Sequence, residues 1–133
     1  MEKLVFSDGS YESAPKKISA LSKGAPSLSF YCRILNIIFR AASNAKNKKY
    51  GNAEWRKSSL ASLRALEYVG VRIKITGIDN FRKLEGPCVF IANHMSTLET
   101  FVLPAIIAPF KDVTFVVKKS LMEYHIFKHV MRL

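Results

Sequence analysis

Cysteine is scarce in this 133-residue chain: two residues, Cys32 and Cys88, each set inside an apolar run. A pair so placed suits neither a disulfide framework nor a metal centre, and both are expected as reduced, buried side chains of a cytosolic protein. Acidic residues are also few, 10 against 21 Lys and Arg, which leaves a formal net charge of +11. The first 27 residues carry Glu2, Asp8 and Glu12 among Gly, Ser, Ala and Pro, with no apolar stretch behind a basic start. That excludes a conventional secretory signal. There is no Gly-rich phosphate loop, no nucleophile elbow and no internal repeat. His125 and His129 are spaced i, i+4 like metal ligands, but no Glu follows the first of them and no third ligand is evident, so no metal is expected.

What is present is unevenly distributed. Residues 28–68 hold eight basic and two acidic residues, more than half of the net excess, which argues for one basic face aimed at an anionic partner. Residues 1–27, ending in the linker-like run Ser22 to Ser27, are expected to form a loosely ordered tail. From Leu28 to Ala42 the pattern is helical: Ser29, Arg33, Asn36 and Arg40 line one polar stripe, and Phe30, Tyr31, Ile34, Leu35, Ile37, Ile38 and Phe39 cover most of the rest. This helix falls short of the roughly 20 apolar residues that span a bilayer. It is expected to be buried in the protein or in the outer few ångströms of a membrane. Lys46, Lys48, Lys49, Arg56 and Lys57 follow, interleaved with Tyr50 and Trp55 and opposed only by Glu54. Such a set favours an anionic surface, although a solvated loop between helices is the plainer alternative. Phe30, Ile34, Ile38, Lys48, Lys49 and Trp55 are the candidate membrane-binding residues. A second helix is expected from about Ala53 to Tyr68, with Leu60, Leu63 and Leu66 facing inward.

Beyond it, Val71 to Ile75 alternates apolar and basic residues like a half-exposed edge strand, and 77–87 reads as a loop. Cys88-Val89-Phe90-Ile91-Ala92 reads as a buried strand, and Ser96-x-x-Glu99 ahead of Leu98, Phe101, Val102 and Leu103 as a helix start. Pro104 and Pro109 shorten or kink that helix, Val113 to Val117 gives another strand, and a last helix runs from Ser120 to Arg132. Strand, helix, strand, helix implies a parallel βαβ unit in an α/β sheet. His94 then sits where a strand ends and a helix begins, the usual place for chemistry in open α/β folds. With Glu99 able to turn back toward it, it is a candidate general base with its orienter. The plainer alternatives are a structural histidine and a capping box between Ser96 and Glu99. Lys118 and Lys119 leave a strand toward the same crevice and are candidates for contacting an anionic substrate.

Asn93 and His94, with the acidic Glu99 five positions after the histidine, resemble the Asn-His-x-x-x-x-Asp hallmark of the glycerolipid acyltransferase family that includes 1-acylglycerol-3-phosphate acyltransferases. Phe115 to Leu121 is similar to that family's second strand, which runs into a Lys and then a helix. The resemblance covers about the last half of the chain, with Glu in place of the usual Asp. It implies an N-terminal two-helix element, 28–68, followed by 69–133 as the first βαβ part of a mostly parallel sheet with flanking helices. It also implies that the chain is an N-terminal portion, since the Gly-rich segment with its phosphate-binding Arg and the Pro-Glu-Gly-Thr motif would follow Leu133.

The expected activity is transfer of a fatty acyl group from a thioester of coenzyme A or acyl carrier protein to a hydroxyl of a lysophospholipid or glycerol phosphate. His94 is the base, Glu99 holds its tautomer, and free amides near Ser96 are candidate donors to the oxyanion. Ser96, Lys118 and Lys119 are the candidate substrate contacts. No cofactor is expected beyond the thioester substrate. The expected location is the cytoplasmic face of an anionic membrane, bound peripherally. The competing class is a non-catalytic membrane-binding module. A nucleic-acid binder is favoured by charge alone and is not expected.

Overall fold

Pro26 opens the longest helix because the first position of a helix needs no backbone N–H and suits a fixed φ. A computed structural model describes residues 4–15, 17–93, 95, 96 and 98–116. In chain order its elements are β1 (Tyr11–Glu12), α1 (Ala20–Gly24), α2 (Pro26–Lys46), α3 (Asn52–Tyr68), β2 (Lys74–Ile75), α4 (Asp79–Arg82) and α5 (Leu98–Ile107). The run Ser22 to Ser27, expected as linker, is thus taken up mostly by α1 and the start of α2. Lys48 adopts a left-handed φ of 55° in the turn that follows α2. At the far end of α3 the amides of Val69 and Val71 both reach the carbonyl of Leu66 at 3.1 Å. Gly70, with φ 94°, supplies the left-handed residue such a closure needs.

The core is built around α3, which packs against α2 on one side and α5 on the other. Leu63 is fully buried with Leu4 and Ala105 around it, and Phe6, Tyr11, Leu60, Ile73, Ile75, Val102 and Ile106 close the cluster. Inward-facing Leu60 and Leu63 follow the helical spacing read from the sequence. Leu4, Phe6 and Tyr11 come from the segment expected to be a loosely ordered tail, so residues 4–13 of it contribute core instead. β1 pairs antiparallel with β2 in the register Tyr11 to Ile75 and Glu12 to Lys74.

One polar cluster ties that segment down. The Glu67 carboxylate, itself buried, accepts from the hydroxyl of Tyr11, from Ser13 Oγ at 2.7 Å and from Arg64 Nη1 at 2.7 Å. Arg64 also donates to the Tyr11 hydroxyl at 2.8 Å. Ser13 exchanges backbone and side-chain bonds with Ile73, which continues the β1 and β2 pairing by one residue. Burial pushes the Glu67 carboxyl up, but the bonds from Tyr11, Arg64 and Ser13 and the charge of Arg64 outweigh it and bring its pKa down to about 2.

Pro104 lies inside α5, where its ring and missing N–H disrupt the backbone ladder. Ser59 of α3 repairs the break: its Oγ accepts from the Ala105 amide at 2.8 Å and donates to the Val102 carbonyl at 3.2 Å. The helix therefore runs through Pro104 and ends at Ile107, ahead of Pro109. Ser59→Ala removes both of these bonds and takes the Ser59 acceptor from the buried Ala105 amide, which should cost about 1–3 kcal/mol, read as a lower urea midpoint at unchanged slope.

The sheet differs most from expectation. Among the described residues there is a two-stranded antiparallel sheet and no parallel pair. The architecture is helix-rich with mixed elements, compatible with α/β, and no parallel βαβ unit is present among the described residues. Residues 88–92 carry no strand, and Val89 and Ile91 are 88% and 94% exposed. The physical reason is pairing: β1 joins β2, and no described strand offers its backbone to 88–92. Residues 113–116 are likewise outside any strand, and Val117 and the expected last helix lie outside the described residues. The loop 77–87 contains one helical turn, α4, closed by an Arg82 to Asp79 ion pair at 3.0 Å. Both cysteines are free thiols as expected, but Cys32 is exposed and Cys88 only half-buried, where burial was expected of both.

Candidate functional site

The turn that carries Asn93, Met95 and Ser96 is held from three sides. Phe90, just ahead of it, meets the ring of Phe81 edge-on at 5.1 Å between centroids, and Phe81 meets Phe110 at 6.0 Å. Phe110 in turn contacts Phe6, so a row of rings runs from the motif's approach segment to the N-terminal segment. Lys111, just past α5, donates from Nζ to the carbonyls of Leu84 at 2.7 Å and Gly86 at 3.0 Å. These two anchors were not foreseen from the sequence. Apolar and basic residues flanking a helix end are too common to single out before the chain is folded.

The third anchor is the acid of the motif. Glu99 Oε1 accepts from the amides of Met95 at 3.0 Å and Ser96 at 2.9 Å, and Oε2 accepts from the Ser96 amide at 3.1 Å and the Ser96 hydroxyl at 3.0 Å. Ser96 Oγ accepts from the Leu98 amide at 3.1 Å. This is a capping box, closed by Ser96 on Leu98 rather than on Glu99 as the sequence pattern suggests. Glu, one methylene longer than Asp, has the reach to span the first turn of α5 and return to the 95–96 backbone. Its carboxyl is held below the ordinary carboxylate value, foremost by its own backbone N–H; desolvation opposes this, and the Ser96 amide, the Ser96 hydroxyl and the Met95 amide together outweigh it. Glu99→Ala removes these acceptors, and faster amide hydrogen exchange at Met95 and Ser96 with unchanged exchange in α3 is the expected result.

Of the predicted site residues, the structure brings Ser96 and Glu99 together; Ser96 is exposed and Glu99 half-buried. His94, Lys118, Lys119, His125 and His129 lie outside the described residues. The carboxylate is thereby fixed on the two amides that follow His94 in the chain, ionised and at the surface. That placement holds the turn of residues 95 and 96 at the start of α5.

The candidate membrane residues divide. Lys48 and Lys49 are exposed. Ile34 is buried, and Phe30, Ile38 and Trp55 are half-buried, Trp55 edge-on to Phe115 at 5.7 Å. Ile34 belongs to the inward side of α2 with Ala41, so it is corrected from a surface contact to a core one. The polar stripe is partly engaged as well. Ser29 bonds the buried Ser22 at 3.0 Å, and the Arg33 guanidinium lies 3.4 Å above the ring of Tyr68. Among the described residues, no helix is long and apolar enough to cross a membrane.

Residues 72–133 match the family model described as Acyltransferase. The match is consistent with the glycerolipid acyltransferases that the motif resembles, and it points to acyl transfer as the general chemistry of this segment. No curated protein and no solved structure matches the chain.

Proposed function

We propose that the acyltransferase-like segment 72–133 moves a fatty acyl group from a thioester of coenzyme A or acyl carrier protein to a hydroxyl of a lysophospholipid or glycerol phosphate. The observation that carries the reading is the ionised Glu99, bonded to the two amides next after His94, inside the segment that matches an acyltransferase family. An alcohol is a poor nucleophile at neutral pH and needs a base as it attacks. His94 takes the hydroxyl proton while the new C–O bond forms at the thioester carbon. Collapse of the tetrahedral intermediate breaks the C–S bond, and the proton passes to the departing thiolate. Glu99 acts as the orienter of the imidazole and stabilises the imidazolium. Ser96, Lys118 and Lys119 serve the substrate, while the amides of Met95, Ser96 and Leu98 are taken up by Glu99 and Ser96 and are not free for the oxyanion. The reaction is placed at the cytoplasmic face of an anionic membrane, where acceptor and donor are both amphiphiles and the basic excess of 28–68 is attracted.

The test is an incubation of the natural chain with palmitoyl-coenzyme A and lysophosphatidate, following free thiol and the diacyl product together. Both should appear in equal amounts. Thiol without diacyl product would mean hydrolysis, and neither product, from the full natural reading frame, would leave a membrane-binding module.

A further inference from the structure

We infer that Lys111 is a positioning residue for His94: from just past the end of α5 it pins the chain corner from which residues 88–93 lead into the motif. The rate part of the inference rests on the acyl transfer proposed above, and the geometric part does not. Lys111 is itself fixed to the helix, since its amide and that of Phe110 both reach the carbonyl of Ile107, at 3.1 Å and 3.0 Å. Its Nζ spans from there to the carbonyls of Leu84 and Gly86, at 2.7 Å and 3.0 Å. Gly86 has a φ of 80°, easy for glycine and strained for other residues, and Pro87 fixes the φ that follows. The ammonium therefore holds a stiff corner, and the corner sets the direction in which the chain leaves it.

The weight of this contact comes from how little else holds the segment. Among the described residues, the backbone of 85–93 makes no hydrogen bond to another backbone group, so no strand pairing places it. The contacts that do are Lys111 on Gly86 and the Phe90 ring on Phe81, which in turn meets Phe110. Both lead to the two residues just past α5. On the other side of His94, Glu99 in the first turn of α5 holds the amides of Met95 and Ser96. His94 thus stands in the chain between two segments tied to opposite ends of one helix. Removing Lys111 leaves the upstream side to the Phe90 ring, which can slide on its neighbour as a hydrogen-bonded corner cannot. Misplacing a catalytic group by about 1 Å can cost on the order of 10²-fold in rate. Stability depends on the contact far less, because Leu84 and Gly86 are exposed and water takes over both carbonyls once the ammonium is gone.

The test compares Lys111→Met, which keeps the length of the side chain and loses its donors, with Lys111→Arg, which restores them. With palmitoyl-coenzyme A and lysophosphatidate, Lys111→Met should lower kcat by about tenfold to a hundredfold at a KM within about twofold of the natural one. Lys111→Arg should recover most of the loss. Gly86→Ala, which strains the corner without touching Lys111, should show the same split, and the urea midpoint should stay in place for all three. A rise in KM with kcat kept would make Lys111 a substrate contact and overturn the proposal. So would a Lys111→Met or Gly86→Ala chain that turns over at the natural kcat. A second readout needs no activity: the C2–H proton line of His94, assigned with His94→Gln, should move in Lys111→Met toward the shift of an unstructured histidine and return in Lys111→Arg. A line that stays put overturns the positioning whatever the rates do. If the natural chain transfers no acyl group but the line moves and returns, the chemistry proposed above fails and the hold of the corner on His94 stands.

Discussion

Alanine at His94 should lower acyl transfer by about a thousandfold or more, with the thermal midpoint of unfolding unmoved. General bases contribute 10²–10⁴-fold when they take a proton in the transition state, and a base that also returns the proton to the leaving group acts in both halves of the reaction. The loss should fall on kcat, because the imidazole does more for the transition state than for bound substrate. The fold should survive, since Asn93 and Met95 on either side are exposed and the turn is held by Glu99, Phe90 and Lys111 instead. Glu99→Gln separates the orienting role from the capping one. It keeps an oxygen for the Ser96 amide but loses the charge, so a fall in kcat with unchanged exchange at Ser96 assigns the charge to catalysis. A His94→Ala variant within tenfold of the natural rate would remove the histidine from the mechanism.

The second large effect is on stability. Glu67→Ala should cost about 3–5 kcal/mol, because it leaves the Arg64 charge and the Tyr11 and Ser13 hydroxyls without the acceptor they share. Residues 4–13 should loosen with it, seen as fast amide exchange at Ser13 and loss of the paired strand. The pH dependence follows from the same group. Its carboxyl titrates at about 2 in the folded chain against an ordinary 4.5, so the stabilisation is complete above about pH 4.5 and is lost as the pH falls toward 2. The difference corresponds to on the order of 3 kcal/mol. An acid-unfolding curve of Glu67→Gln parallel to that of the natural chain between pH 2 and 4.5 would refute the assignment.

How far the residues announced this arrangement depends on the range of the contact. Helix α3 and the middle of α2 were legible because their apolar spacing is local. So was the turn of Ser96 and Glu99, whose bonds span three positions. The place of residues 4–13 was not legible: Tyr11 and Glu67 are 56 positions apart, and nothing near Tyr11 in the chain tells that a buried acid awaits it. Pro104 read as an interruption because its repair comes from Ser59, 46 positions from the amide it serves. The run 88–92 has a strand's composition, but composition supplies no partner backbone. For α2, periodicity identified an apolar helix without saying which of its apolar sides α3 would occupy.

The mend at Pro104 has a mechanical side. Sliding α5 along α3 by even one residue would part Ser59 from both the Ala105 amide and the Val102 carbonyl at once, so the two helices share a fixed register. The box at Ser96 travels with α5. The contacts of Lys111 with Leu84 and Gly86 and of Phe81 with Phe90 tie the segment ahead of the motif to the same register, so a shift of α5 would be felt there as well.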